Sequence, residues 1–397
     1  MNTQVVYEPA RQVPVYGSWD VVVIGGGIAG VAAALAAARA GASVCLVEKE
    51  NALGGLATLG NVLVYLPLCD GRGKQVAAGL AAELMRISLR YSAAQLPECW
   101  QPDGNIAERS KQRLRVSFNP AAYMISLEEL VLAAGVQLMY DTRCCAVQVE
   151  NNRISAIFVE NKSGRGAVMP QVVIDASGDA DVCYLAGAAT VSLHTNRRSG
   201  WYLSHQENGV RINMLSDPLP AGSGGAPTFA GDDWQDVTRM NIAGRQMIKE
   251  HLMQHAAPSG FANAYPVAMP VIPLFRMTRR LQADFELDES DDHRWFDDTV
   301  GMIGDWRKAG PIFCIPYRTL RTKQVGNLLA AGRCISVTES AWEITRVIPA
   351  CAVTGQAAGT AAVQALKSGG RVDALDVKEL QNTLCAQGVI IKRELIM

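Results

Sequence analysis

The sequence predicts an α/β fold: a parallel sheet flanked by helices, interrupted by an inserted α+β segment. Three observations carry this. A β-branched run, Val21–Ile24, leads directly into Gly25-Gly26-Gly27-Ile28-Ala29-Gly30. The small, helix-tolerant residues Val31–Ala40 follow, and a second apolar run, Val44–Val47, ends in Glu48. Far downstream a buried-strand pattern, Leu328–Ala331, enters a glycine turn and then a small-residue helix, Pro349–Leu366. The residues between differ in character.

The first unit reads as strand, turn, helix, strand, with the spacing G-x-G-x-x-G at the turn. Gly25 permits the sharp exit from the strand. Gly27 lets backbone approach a pyrophosphate without a β-carbon in the way, and Gly30 lets helix and strand pack closely. The helix start offers unpaired N–H groups to phosphate. Glu48 stands where a carboxylate accepts from a ribose 2′-hydroxyl. The same charge repels a 2′-phosphate, which argues against NADP.

Length and composition bound the alternatives. With 397 residues, two domains are the natural expectation. A formal charge of −1 gives no case for nucleic acid or an anionic membrane surface. The ten cysteines form no C-x-x-C pair and no metal-ligand spacing, so no metal is expected. With no hydrophobic leader at Met1–Trp19, they read as reduced thiols of a cytoplasmic protein. The apolar run from Val21 is broken by three glycines and does not span a membrane. Cys144-Cys145 reads as one buried and one exposed strand residue rather than a redox centre.

Further along, Lys74–Tyr91 has helical apolar spacing. Asn119 caps a helix entered at Pro120 and closed at Gly135. Val136–Tyr140, Cys144–Val149, Arg153–Val159 and Val168–Ile174 are short strands, the last two joined by the turn at Lys162–Gly166. The final strand runs into Asp175-Ala176-Ser177-Gly178-Asp179, and a helix follows over Ala180–Ala188. From Val191 histidines, tryptophan and arginines appear. Asp217–Gly231 is a Pro/Gly/Ser-rich loop, Asp232–His255 a helix capped by Asp232 or Asp233. Met269–Phe275, Arg279–Leu287 and Pro311–Leu320 suggest strands.

These motifs resemble the FAD-dependent oxidoreductases, in the glutathione-reductase-like group and its succinate dehydrogenase–fumarate reductase branch. The carriers are Gly25–Gly30, Glu48–Gly55, Phe118-Asn119-Pro120, Ile174–Gly187, Gly332–Ser336 and Arg346–Gly359. The resemblance implies a Rossmann-like FAD-binding domain, with a parallel sheet, helices and a β-meander, built from residues 1–190 and 325–397. Residues 191–324 would be the inserted substrate domain, which the resemblance covers poorly. It implies FAD contacts from Gly25, Gly27, Ile28, Ala29, Gly30, Glu48, Lys49, Gly54, Gly55, Ala57 and Thr58. Cys145, Ala176, Ser177, Gly178, Gly332, Arg333, Val347 and Gly355 complete the implied set. Ser177 replaces the usual threonine, and Arg333 stands where many relatives carry aspartate; an arginine there could pair with the pyrophosphate.

The implied chemistry is hydride or electron transfer between flavin and a small organic substrate, with a carboxylate as one candidate recognition group. Arg346, just before the small-residue helix, could clamp a carboxylate or simply bridge to Glu343. Arg276 and Arg279 are alternative anion-binding residues of the insertion. His194 and His205 flank Trp201-Tyr202, and His205 is a candidate acid or base, though each alone is more often a structural histidine. Gly355 and Gln356 could offer backbone N–H groups to reduced flavin, or Gly355 and Gly359 could serve helix packing. Trp201, Trp295, Trp306 and Trp342 read as packing residues. The partner is a small molecule, and the oligomeric state stays open. Two other functions stay open: a thiazole-synthase-like binder of an adenylated dinucleotide product, and a non-catalytic flavin-binding protein.

Overall fold

The computed structural model describes residues 5–197, 201–206, 209–214, 227–254 and 264–397. Most of the expected Pro/Gly/Ser-rich loop, residues 217–226, lies outside them, as does His255.

A seven-stranded sheet organises the chain. We label its strands β1 (Val15–Ile24), β2 (Val44–Val47), β3 (Gln137–Met139), β4 (Arg143–Glu150), β5 (Arg153–Asn161), β6 (Gly164–Asp175) and β7 (Leu328–Ala330). Strands β3, β2, β1, β6 and β7 run parallel. β4 and β5 continue the sheet as an antiparallel meander from the first half of β6. The twelve residues of β6 serve both arrangements: Gly164–Val168 pair with β5 and Val173–Asp175 with β7.

Burial on both faces explains the unbroken β-branched runs. Val21 and Val23 enter one core with the helices, while Val22 and Ile24 enter a second core with Ile157, Val159 and Val168 of the meander. The helix α1 (Ile28–Arg39) is buried from Ile28 to Ala37. It crosses a second helix of the same character, Ile348–Leu366. Gly355 and Gly359 of that helix lie on the carbonyl oxygens of Ala29 and Ala33, and a β-carbon at either position would collide with that backbone.

Several local expectations change. The helix expected over Lys74–Tyr91 is only Leu80–Ile87. Gly79 takes φ +62° before it, and Gln356 Oε1 accepts from Leu80 N at 2.7 Å, capping it from another helix. The helix Trp234–Gln254 is capped by Asp233, whose Oδ1 accepts from Asp236 N at 2.9 Å. Met269–Phe275 forms no strand; the pairing falls instead on Tyr265–Ala268, which joins Trp201–Gln206 and Gly209–Met214 in a separate three-stranded sheet. Of residues 191–324, Phe296, Val300, Met302, Phe313 and Leu320 share the core of α1 and Ile348–Leu366.

Candidate functional site

The C-terminal ends of β1, β2 and β6 converge, and three loops leave them side by side. Gly25 turns the first loop at φ +104°, so L-residues with a β-carbon are disfavoured there. Gly26 O accepts from Gly54 N at 2.8 Å, and Gly27 bridges to Gly54. The first loop is thus bound to the Gly54-Gly55 loop. The third, Asp175–Asp179, is folded around Asp175, a fully buried carboxylate that accepts from Ser177 N, Ser177 Oγ and Cys183 N.

Between them lies a cavity of 610 Å³, within the range of small-molecule sites. Gly25, Gly27, Ile28 and Ala29 line it from the first loop and the start of α1; Glu48, Lys49, Gly54, Gly55 and Ala57 line it from the second. Ala176, Ser177 and Gly178 come from the third, and Arg279, Arg333 and Arg346 from more distant elements. A dinucleotide fits this cradle by a direct criterion. A β-carbon on Gly27 would point into empty space, and Gly27 precedes the helix start in ordinary extended geometry, φ −64° and ψ 177°. Nothing in the fold demands glycine there, whereas a phosphate approaching the N–H groups of α1 would.

Glu48 is buried and its carboxylate is turned onto the turn backbone. Oε2 accepts from Gly26 N at 2.5 Å and Oε1 from Glu50 N at 2.8 Å. Burial raises its pKa, and these N–H groups oppose the rise. Glu48 therefore holds the glycine turn in shape besides facing the cavity.

The arginines are fixed before any ligand arrives. Arg279 Nη2 donates to Asp181 Oδ1 at 2.7 Å and Nε to Asp179 O at 3.0 Å, and its guanidinium stacks 4.2 Å from the Tyr184 ring. Arg333 lies over Gly178, donates to the Phe275 carbonyl and pairs with Asp179 at 3.4 Å. Arg346 pairs with Glu343 and is 12% exposed, yet its Nε is buried without a hydrogen-bond partner. Burial lowers its pKa, Glu343 opposes this, and the nearby Arg333 charge adds to the lowering.

Eight expected site residues do not line the cavity. Gly30 packs on the Gly25 carbonyl, and Thr58 Oγ1 donates to Leu53 O at 2.6 Å. Cys145 points away, with Sγ 3.3 Å from Phe158 O; strand alternation puts Cys144, not Cys145, into a 60 Å³ side pocket beside Glu48 and Lys49. Gly332, at φ +68°, packs on Ala29 while its neighbours Ala331 and Arg333 face the cavity. Val347 is the N-cap of Ile348–Leu366, so Gly355 lies two turns inside that helix, and its N–H is not at the helix end. Arg276 is positioned through its backbone N, which donates to Asn196 Oδ1 at 2.9 Å. His205 stacks on Tyr265 at 4.9 Å in the separate sheet.

Arg143, Asp179, Asp181, Phe275, Ile348 and Cys351 line the cavity without having been expected there. Arg143 was the most accessible to reasoning, because it opens the strand after β3, where the ends of parallel strands meet.

The family described as FAD dependent oxidoreductase matches this chain over residues 20–200 and 194–384. The chain is similar to a digeranylgeranylglycerophospholipid reductase of Methanoculleus marisnigri, 29% identical over 184 residues, 44% of this chain and 42% of that one. It is also similar to a thioredoxin reductase of Ureaplasma parvum, 37% identical over 78 residues, 19% of this chain and 25% of that one. The matches thus span less than half the length of these curated relatives. Among solved structures, p-nitrophenol 4-monooxygenase of Pseudomonas putida superposes with a TM-score of 0.45 at 13% identity, covering 94% of this chain and 88% of that one.

Proposed function

This chain belongs to the FAD dependent oxidoreductase family, and we propose that it moves a hydride or electron pair between FAD and a small, anion-bearing organic substrate held in the 610 Å³ cavity. Its cofactor is FAD, which supplies the two-electron chemistry when bound. The protein's residues bind and orient. The N–H groups at the start of α1 and the open face of Gly27 receive the pyrophosphate. Glu48 keeps the glycine turn in its receiving shape and accepts from the ribose. Arg333, already seated over Gly178, adds positive charge beside the phosphate loop.

One observation carries the substrate reading: the Arg346 guanidinium, 12% exposed, lines the cavity. A carboxylate or enolate oxygen in the cavity would meet that charge. Glu343 pairs with Nη2 of the guanidinium and fixes the orientation of the fork. We assign residues 191–324 to substrate selection, with the part from Leu287 onward anchored in the main core. Among the described residues no helix is long and apolar enough to cross a membrane. All ten cysteines are free, which favours a reducing compartment such as the cytoplasm.

The experiment is an anaerobic panel of carboxylates and carbonyl compounds, followed at the flavin absorbance, with the released ligand identified by mass. Flavin reduction or reoxidation by an anionic compound supports the reading. A yellow protein that exchanges electrons only with uncharged substrates removes the anion assignment. A released adenylated product in place of FAD would favour the thiazole-synthase-like alternative.

A further inference from the structure

We propose that Arg279 is a positioning residue for the cofactor: its charge offsets the Asp179 and Asp181 carboxylates, which would otherwise repel the FAD pyrophosphate. This rests on the reading that FAD occupies the cradle.

The cavity is an acidic place for a dianion. Acidic residues along its walls outnumber basic ones, six to five. Two of the acids, Asp179 and Asp181, follow β6 and line the cavity with Gly178. Asp181 also lines the 60 Å³ side pocket together with Gly25, Glu48 and Ser177, so it stands beside the phosphate-binding turn. Burial and the charges of Asp179 and Asp175 push its pKa up to about 6, while Lys49 and Arg279 oppose the rise. A pyrophosphate arriving at the start of α1 would add to this crowding of negative charge.

Arg279 answers that charge from the insertion. It opens the strand Arg279–Leu281, which pairs with Thr190–Ser192. Alternation sends the two neighbouring arginines opposite ways. Arg280 is buried and pairs with Glu286. Arg279 turns to the cavity, where Nη2 donates to Asp181 and Nε to the Asp179 carbonyl. Arg333 pairs with Asp179 and Arg279 with Asp181, so each carboxylate has its own arginine.

The geometry of Arg279 suits compensation better than substrate binding. Two of its donors are engaged on the protein, and its plane is stacked on Tyr184. It therefore brings the cavity a charge rather than a free fork. Its side chain is 11% exposed, and exclusion of water strengthens the effect of that charge.

The test is equilibrium dialysis of the FAD-loaded protein and its variants against falling FAD concentrations, at pH about 8, where the carboxylates are ionised. Arg279→Gln should weaken FAD binding about tenfold or more. Arg279→Lys keeps the charge and loses the fork, and should stay within about threefold of the parent. Asp181→Asn keeps an acceptor for Arg279 but removes the negative charge, so it should bind FAD about threefold or more tighter than the parent. Combining Arg279→Gln with Asp181→Asn should restore the parent affinity. An arginine that only holds the insertion in place would leave Asp181→Asn with unchanged or weaker binding, and that result overturns the proposal. A folded Arg279→Gln protein that binds FAD as the parent does overturns it as well. If Arg279→Gln does not fold, Asp181→Asn decides alone. A parent protein that takes up no FAD would refute the placement of FAD itself, separately from any difference among the variants.

Discussion

Gly355 lies directly on the carbonyl oxygen of Ala29, at the crossing of the two small-residue helices. Gly359 repeats the contact on Ala33 one turn later. The crossing presses the start of α1, and with it the phosphate-binding turn, against Ile348–Leu366. Gly359→Ala should therefore destabilise the protein by about 1–3 kcal/mol through overpacking, despite its gain in helix propensity. Gly355→Ala should do the same and also weaken FAD binding, since it displaces Ala29 in the cavity wall. Thermal unfolding of both apoproteins and FAD titration separate the two effects; unchanged melting temperatures would show that the helices stand further apart.

Gly27 and Gly30 should fail in opposite ways. A side chain at 27 has open space, while one at 30 would collide with the Gly25 carbonyl. Gly27→Val should fold with nearly the parent melting temperature but lose FAD affinity by roughly 100-fold. Gly30→Val should lose fold stability first. A yellow, fully loaded Gly27→Val protein would remove the pyrophosphate from this loop.

Glu48→Ala should cost more than a ribose contact. The carboxylate accepts from Gly26 N and Glu50 N inside the protein, so its loss leaves two N–H groups without their partner. Apoprotein stability should fall by about 1.5–3 kcal/mol, the scale for hydrogen bonds to a charged group, and FAD affinity should fall as well. Urea unfolding without cofactor checks the first part. An apoprotein of parental stability would mean that Glu48 acts on the ribose alone.

The contrast between Glu48 and Cys145 shows where sequence was readable. The strand–glycine–helix–strand order constrains φ, spacing and chain direction locally, so the positions from Gly25 to Glu48 follow from the sequence pattern. The β-meander was equally legible from alternating runs and the turn at Lys162–Gly166. Cys145 depended on which strand face met the cavity, a one-residue matter that only the register with β5 decides. The helix expected from Pro349 starts at Ile348, so Gly355 lies two turns inside it on either reading, away from the free N–H groups of its end. The helix Glu339–Thr345 was missed, although Thr338 caps it and it leads directly to Arg346.

Arg346 offers a kinetic prediction. Lysine keeps its charge but lacks the planar fork that Glu343 orients. Arg346→Lys should remain folded and yellow while flavin reduction by the substrate slows about 100-fold, the scale of one lost charge-stabilising donor. Stopped-flow reduction alongside thermal unfolding is decisive. Lost melting temperature with normal reduction kinetics would leave Arg346 as a structural partner of Glu343.

The cradle of Gly25–Ala29, Glu48 and Ala176–Gly178 is assigned here to FAD. Titration of the apoprotein with FAD, followed by quenching of flavin fluorescence, tests it most directly, with Gly27→Val as the matched control. The parent should bind one FAD per chain saturably, and the folded variant should bind it weakly or not at all. A folded parent protein that takes up no FAD, or a variant that binds it equally well, would remove FAD from this cradle.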